Sequence, residues 1–289
     1  MVMDGRNDDC SSYSHENLPH PRILLLGATG VGKSVLSNQL LGCYHKDETC
    51  NQFSVGHGSL SHTNETAYTF GKYLGKGRCI TIIDRDYAHA MEIVNVIKNA
   101  IKVIDVFLLL FDGSKPRFQR PVVELLQLYQ SMFSSDIWKN TITEFTFWKH
   151  DQDSVEERLE DQEMDEQRKH TEWNKHYKDR VNIPIEIPSI FIDPVFPIFS
   201  KKDRHIRKVE RQPEAKEKFQ LYTYLLMDLA MRMPAYTCSG AHSTCMSYCI
   251  HHSAPWCIVH SRSATEENCE NLRIMIHNLW LRLGEINIK

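Results

Sequence analysis

The sequence has no apolar run long enough to span a bilayer and no secretory signal at its amino terminus. No window approaches the roughly 20 consecutive apolar residues that a membrane helix needs. The opening stretch, MVMDGRNDDCSSYSHENLPHP, lacks the apolar centre of a signal peptide. The nine cysteines are an odd set, and without a signal we expect them to stay reduced. We therefore expect a soluble, cytoplasmic protein.

The chain also lacks a large excess of either charge. Its 289 residues include 34 Lys and Arg against 37 Asp and Glu, which gives a net charge of -3. A domain that binds nucleic acid usually has a basic excess, so we expect no nucleic-acid partner. Hydrophobic residues make up 42% and charged residues 25%. These ordinary values exclude a disordered chain, a collagen-like repeat and a small disulfide scaffold.

Short apolar runs alternate with helical patterns over residues 20–235. Wholly apolar runs predict buried strands, whereas apolar residues at every third or fourth position predict helices. Strands joined by helices form a parallel sheet that is covered on both faces. We therefore expect a three-layer α/β fold with a mainly parallel central sheet, and we place its strands near residues 23–26, 67–74, 79–83, 106–111, 141–147 and 190–192.

Three regions differ from this alternation. Residues 1–19 are polar and acidic, and we expect them to form a mobile N-terminal segment. Residues 151–180 are dense in mixed charge, which is typical of a solvated helix. Residues 236–289 form a Cys/His-rich C-terminal extension that is partly helical. Its cysteine spacing, C-x6-C-x3-C-x7-C, lacks the C-x2-C pairs of zinc modules. We expect packed or exposed thiols there, and structural zinc is the alternative.

The segment after the first predicted strand matches the pattern G-x-x-x-x-G-K-S/T. Its glycines expose backbone N–H groups to phosphate oxygens, and the following helix points its positive end at the same place. The lysine reaches the β- and γ-phosphates, and the serine hydroxyl binds Mg²⁺. We predict nucleotide binding by Gly27, Ala28, Thr29, Gly30, Val31, Gly32, Lys33 and Ser34, with Lys33 and Ser34 also in catalysis.

Two further positions complete the predicted magnesium site. Asp84 follows an apolar run, where its carboxylate could hold Mg²⁺ through water. Thr63 is our first choice for a switch threonine that closes over Mg²⁺ and the γ-phosphate, and we place it with Lys33 and Ser34 among the catalytic residues. Thr66 is the second, and plain loop threonines are the alternative. GTP-dependent switches have the sequence D-x-x-G, but here Tyr87 stands in the glycine position.

A possible base-recognition sequence follows the strand predicted at 141–147. Guanine-binding proteins use N/T-K-x-D, whose Asp accepts hydrogen bonds from N1–H and the exocyclic amine of guanine. This chain has Trp148-Lys149-His150-Asp151, with Trp where Asn is usual. We predict that Lys149 and Asp151 contact guanine. An ordinary polar strand end and an ATP-using P-loop protein are the alternatives.

These residues together resemble the immune-associated nucleotide-binding (IMAP) GTPases, a septin-like branch of the P-loop GTPases. The segment GATGVGKSVLSNQLLG is similar to the start of that family, and Phe53 with Ser61-x-Thr63 resembles its first switch. The segment IDVFLLLFDGSKPRFQRPVVELLQLYQSMFSSDIWKN resembles the box between its third and fourth motifs. The fourth motif often has the form R-K-x-D in this family, to which Trp148-Lys149-x-Asp151 is similar. The likeness covers about residues 20–235.

The resemblance implies an IMAP-type G domain that binds GTP or GDP with Mg²⁺. It implies Thr63 in the first switch, Asp84 near the metal, and Lys149 and Asp151 on guanine. Members of the family hydrolyse GTP slowly and pair through their G domains, which implies a homodimer or oligomer. The family's D-T-P-G is Asp84-Arg85-Asp86-Tyr87 here, a departure that affects γ-phosphate sensing and hydrolysis.

We therefore expect a slow Mg²⁺-dependent GTPase that acts as a nucleotide-gated switch or oligomerising module. The alternative is a degenerate G protein that binds nucleotide without hydrolysing it and serves as a scaffold. The intact Lys33-Ser34 pair favours the GTPase, and the lost glycine favours the scaffold.

Overall fold

A six-stranded, mostly parallel sheet is the centre of the fold. The computed structural model describes residues 10–14, 17–43, 52–53, 67–84, 97, 101, 103–114, 118–160, 165–193 and 213–237. The strands are β1 (Arg22–Gly27), β2 (Ala67–Lys72), β3 (Cys79–Asp84), β4 (Val103–Ile104), β5 (Val106–Asp112), β6 (Thr141–Thr146), β7 (Ser189–Ile192) and β8 (Tyr236–Thr237).

The strand order in the main sheet is β2-β3-β1-β5-β6-β7. Only β2 runs antiparallel, against β3, and the other neighbours are parallel. Strands β4 and β8 form a separate antiparallel pair. Because β1 has β3 on one side and β5 on the other, the chain order reverses at β1. In parallel α/β sheets, ligands bind at such a switch point, beyond the carboxyl ends of the strands.

The described part of the chain has five α-helices that flank the sheet: α1 (Lys33–Leu40), α2 (Arg120–Phe133), α3 (Gln152–Glu160), α4 (Glu166–Val181) and α5 (Pro213–Arg232). In β6, Thr143 and Phe145 contact α4. The intervening Glu144 therefore points to the opposite face, since successive side chains of a strand alternate. Helix α5 packs against β7. The structure confirms the predicted three-layer α/β fold.

The central strands are apolar because both of their faces are covered. Residues 23–26 of β1 are completely buried, and so is most of β5. A strand that is covered on both faces loses the usual polar alternation, which is why it appears in the sequence as a continuous apolar run. The predicted strands are present at the expected places, although the run 67–74 ends as a strand at Lys72 and continues as a 3-10 turn.

The charged region 151–180 contains two helices, α3 and α4, rather than one solvated helix. The second begins at Asp165, whose Oδ1 accepts a hydrogen bond from the backbone N–H of Arg168, as N-cap residues do. Four residues at a spacing of four are buried in α4: Lys169, Trp173, Tyr177 and Val181. The expectation of a solvated helix was thus wrong for this face, which lies over β6.

A disulfide joins Cys10 to Cys79, the first residue of β3, across 69 residues of sequence. This pair corrects the expectation that all cysteines are reduced, while the buried Cys43 is not in a disulfide. The backbone between Cys10 and Cys79 also contacts β3, because the hydroxyl of Thr81 donates a hydrogen bond to the carbonyl oxygen of Pro19. The described residues 10–14 and 17–19 are therefore attached to the sheet. In the part of the chain that the structure describes, no helix has the length and apolar character to cross a membrane.

Candidate functional site

The loop between β1 and α1 has the shape that its glycines dictate. Gly32, at the N-cap of α1, has φ of 87°, a left-handed conformation that suits glycine. Gly27 ends β1 where β5 approaches closely, and a Cβ atom there would lie 2.7 Å from the carbonyl oxygen of Leu110. Larger residues at either position would move the loop away from the sheet edge.

Lys33 places its positive charge across this loop. Its side chain is buried, and Nζ donates hydrogen bonds to the carbonyl oxygens of Gly27 at 3.1 Å and Ala28 at 2.9 Å. Ser34 follows it in the first turn of α1, where backbone N–H groups have no partner within the helix. An ammonium group and a helix N-terminus together favour an anion at this position.

Asp84 lies at the same edge of the sheet. It is the last residue of β3, and it pairs in register with Leu25 of β1, two residues before the loop begins. Its side chain is 1% exposed. A hydroxyl from Ser34 and a carboxylate from Asp84 are oxygen donors of the kind that Mg²⁺ prefers. Thr63, Thr66 and the sequence Arg85-Asp86-Tyr87 lie outside the described residues.

A second loop, residues 148–151, leaves the same edge of the sheet after β6. It begins at Phe147, whose φ of 57° is unusual for a residue with a side chain. Trp148 and His150 are buried, whereas Lys149 is exposed and Asp151 is half-buried. Lys149 and Asp151, which we predict to contact guanine, therefore lie toward the outside. Trp148 and His150 point into the protein.

Comparison with known proteins gives a likeness of fold. No protein-family model and no curated protein matches the sequence. Among solved structures, Toc33 from Arabidopsis thaliana in complex with Mg²⁺ and GMPPNP is 16% identical, with a TM-score of 0.51. The match covers 75% of this chain and 87% of that one. Elongation factor SelB from Methanococcus maripaludis, with a GTP analogue, matches at 14% identity and a TM-score of 0.42, over 75% of this chain and 35% of that one.

The chain has the fold of a P-loop G domain. At such low identity, the likeness establishes the fold alone, and the resemblance to the IMAP branch stays a prediction. Within this fold, the loop 27–34 occupies the turn after the first strand, and the loop 148–151 follows β6, two strands away in the sheet. The fold thus brings both loops and Asp84 to one edge.

Trp148, which precedes the predicted base-contacting residues, is a packing residue. Its ring centroid lies 5.0 Å from that of Phe191 in β7, and the guanidinium carbon of Arg158 in α3 lies 4.5 Å from it. A cation at this distance from an aromatic ring is attracted by the ring's electrons. Trp148 therefore fixes the start of the loop by contacts with two neighbouring elements.

A polar cluster that no sequence motif indicates surrounds Glu166, the first residue of α4. Its carboxylate accepts hydrogen bonds from Lys218 Nζ at 2.8 and 3.1 Å and from the hydroxyl of Tyr222, both in α5. His150 Nδ1 lies 3.3 Å from Glu166 Oε1. Burial raises the pKa of Glu166, but the hydrogen bonds from His150, Lys218 and Tyr222 outweigh it and lower that pKa to about 2. The carboxylate is thus ionised at neutral pH.

A second buried carboxyl group, Glu144, is in the middle of β6. Its Oε1 accepts a hydrogen bond of 2.8 Å from the backbone N–H of Ile192, and no described residue donates to Oε2. Burial raises the pKa of Glu144 well above its usual value, against the hydrogen bond from Ile192, and Asp193 raises it further. Neither Glu144 nor the Glu166 cluster could be found by motif, because their partners come from other strands and helices.

The described residues contain no group of three or more His, Cys, Asp or Glu side chains placed to hold a metal ion. The cysteines and histidines of the C-terminal extension, residues 238–260, lie outside the described part, so the zinc alternative was not tested there.

Proposed function

We propose that this protein binds GTP and GDP with Mg²⁺ and hydrolyses GTP slowly. The observation that carries the proposal is the placement of Lys33 and the loop 148–151 at one edge of a G-domain sheet. A phosphate-binding loop and a base-recognition loop are needed together for a nucleotide, and here they follow β1 and β6 in the order that this fold requires.

Each predicted residue has a role in this proposal. Residues 27–34 bind the phosphates through backbone N–H groups and the ammonium of Lys33. Ser34, Thr63 and Asp84 hold Mg²⁺, directly or through water. The buried Lys33 stabilises the charge that develops on the γ-phosphoryl group, so it is the residue on which hydrolysis depends most.

We propose a low intrinsic rate of GTP hydrolysis because the chain lacks the D-x-x-G glycine, and Tyr87 stands in its place.

We also propose that the G domain spans residues 20–235, between the segments 1–19 and 236–289, and that it forms homodimers or oligomers. The buried Leu18 and Tyr236 lie just beyond the two ends of that span. A cytoplasmic location stays a prediction, and the disulfide between Cys10 and Cys79 is the observation against it.

The experiment is a titration of the purified protein with GTP, GDP and ATP in Mg²⁺, followed by measurement of phosphate release. We expect guanine nucleotides to bind more tightly than ATP and phosphate to appear slowly. Guanine binding without phosphate release would favour the scaffold alternative. It would indicate that the replacement of the D-x-x-G glycine by Tyr87 prevents hydrolysis. A preference for ATP would contradict the assignment of Lys149 and Asp151.

A further inference from the structure

We propose that His150 is a positioning residue that fixes the base-recognition loop, residues 148–151, against α4 and α5 and so determines how well the protein distinguishes guanine from other bases. The inference rests on the proposed function. In the pattern W-K-x-D, His150 occupies the position that may hold any residue, so the motif itself assigns it no role.

Burial alternates along the loop. Trp148 and His150 are buried, and Lys149, between them, is exposed. The direction of Lys149 and Asp151 therefore depends on how firmly the two inward-pointing residues are held.

Both ring nitrogens of His150 have partners. Nε2 lies 3.0 Å from the carbonyl oxygen of Phe191 in β7, and Nδ1 lies 3.3 Å from Glu166 Oε1. A carbonyl oxygen can only accept, so Nε2 must donate to it. Nδ1 then faces the carboxylate of Glu166, and this contact helps to keep that carboxylate ionised. The ring is thus attached to a strand and to the first turn of α4.

Glu166 is itself held in place by residues of α5. Lys218 and Tyr222 donate hydrogen bonds to its carboxylate. The Tyr222 ring also stacks on His150, with centroids 5.7 Å apart and an angle of 22° between the planes. The charged and titratable groups that face His150 are therefore Glu166 on α4 and Lys218 and Tyr222 on α5. A side chain that is restrained from three elements can hold the loop in one conformation.

The chain offers a matched control for this cluster. His170, also in α4, makes a contact of the same kind, with Nε2 at 2.7 Å from Glu186 Oε1. Among the described residues, the side chain of His170 contacts Ser189, Glu186 and Asn174 and none of the residues 148–151. Replacing it therefore removes a His–carboxylate pair away from the base-recognition loop.

The test compares His150→Phe with His170→Phe in the full-length chain. Phenylalanine keeps the stacking surface for Tyr222 and removes both hydrogen bonds. We expect the affinity for GDP to fall about tenfold or more in His150→Phe. This is the effect predicted if a displaced loop loses one hydrogen bond between the Asp151 carboxylate and guanine. The affinity for ADP should change less than about twofold, because ADP makes no contact that needs the carboxylate of Asp151. His170→Phe should leave the GDP-to-ADP ratio unchanged.

Glu166→Gln provides a rescue test. A glutamine side chain has both a donor and an acceptor for Nδ1 of His150 and so can keep the contact. The ratio of GDP affinity to ADP affinity should therefore stay near that of the natural protein. Glu166→Ala removes the contact and should lower the ratio as His150→Phe does. These two variants also decide the question if His150→Phe does not fold. An unchanged ratio in His150→Phe, or in Glu166→Ala, would overturn the inference.

Amide hydrogen exchange separates a failure of this inference from a failure of the proposed function. If the natural protein does not prefer GDP over ADP, guanine recognition is refuted, and the exchange of residues 148–155 in the nucleotide-free protein decides the positioning role. We expect faster exchange there in His150→Phe and natural exchange in His170→Phe. Equal exchange in the two variants would refute the positioning role as well.

Discussion

The carboxylate of Asp151 accepts hydrogen bonds from Ser154: its Oδ1 from the backbone N–H at 3.1 Å, and both oxygens from the hydroxyl at 3.0 and 2.9 Å. Asp151 thereby caps the start of α3, as residues before a helix commonly do. The same carboxylate is the group predicted to accept hydrogen bonds from guanine. Asp151→Ala would remove both the helix cap and the predicted contact with guanine, so a different substitution is needed to separate them.

Asp151→Asn should separate them, because asparagine caps helices about as well as aspartate does. We expect the free energy of unfolding to change by less than about 0.5 kcal/mol, while the affinity for GTP falls about tenfold or more. Ser154→Ala is the control, since it removes the hydroxyl and leaves the carboxylate of Asp151. It should lower stability by about 0.5–1 kcal/mol and leave the preference for GTP over ATP intact. Natural GTP affinity in Asp151→Asn would show that Asp151 is only a cap.

Lys33→Ala should weaken the binding of GTP, GDP and ATP alike, because the ammonium contacts phosphates rather than the base. The expected loss is about 10- to 100-fold, the value of one or two hydrogen bonds from a charged group. Removing an ammonium that is buried and bound to the carbonyls of Gly27 and Ala28 should not unfold the protein. Lys76→Ala, on an exposed turn, is the control. Calorimetric titration measures all three ligands, and unchanged affinities would refute the phosphate site.

The sequence predicted the sheet well because buried strands have a simple signature. Residues 23–26 and 106–111 are apolar without interruption, and a strand covered on both faces requires this. The phosphate-binding loop was equally clear, since its function needs particular residue types at fixed spacing. Features with a local cause can be recognised locally.

The contacts of His150 and Glu166 could not be predicted in this way. Phe191, which accepts from His150, is 41 residues away, and Tyr222 is 56 residues from Glu166. No periodicity links residues of a loop, a strand and two helices that meet only in the folded state. The buried face of α4 was also missed, although Trp173, Tyr177 and Val181 follow at a spacing of four, because the surrounding charges dominated the average.

The protein should be more stable with Phe147→Gly than with Phe147→Ala. The φ of 57° at Phe147 is left-handed, a conformation that costs residues with a Cβ atom about 1 kcal/mol and costs glycine little. Both substitutions remove the same half-buried ring, so the difference between them isolates the backbone. We expect urea unfolding to show Phe147→Gly more stable than Phe147→Ala by about 1 kcal/mol. In an ordinary strand the order is reversed, so a more stable alanine variant would contradict the left-handed conformation.

Glu166 should make the protein less stable in acid. Its pKa is lowered to about 2 in the folded protein, from 4.5. A lowered carboxyl pKa contributes stability above the unfolded value, and that contribution disappears as the pH falls from about 4.5 to about 2. Since one pKa unit corresponds to about 1.4 kcal/mol, a shift from 4.5 to about 2 corresponds to roughly 3–4 kcal/mol. Urea unfolding between pH 5 and pH 2.5, compared with Glu166→Gln, measures it. Equal pH dependence in the two proteins would contradict the assignment.

Glu144 should have the opposite effect of pH. Burial raises its pKa in the folded state, so the folded protein binds a proton more tightly than the unfolded chain, and stability falls as the pH rises above the unfolded value of about 4.5. Glutamine at this position can accept the same hydrogen bond from Ile192 and has no charge to bury. Glu144→Gln should therefore match the natural protein near pH 4 and exceed its free energy of unfolding at pH 7. Parallel stability curves from pH 4 to pH 8 would mean that the Glu144 carboxyl is not kept protonated by its place in β6.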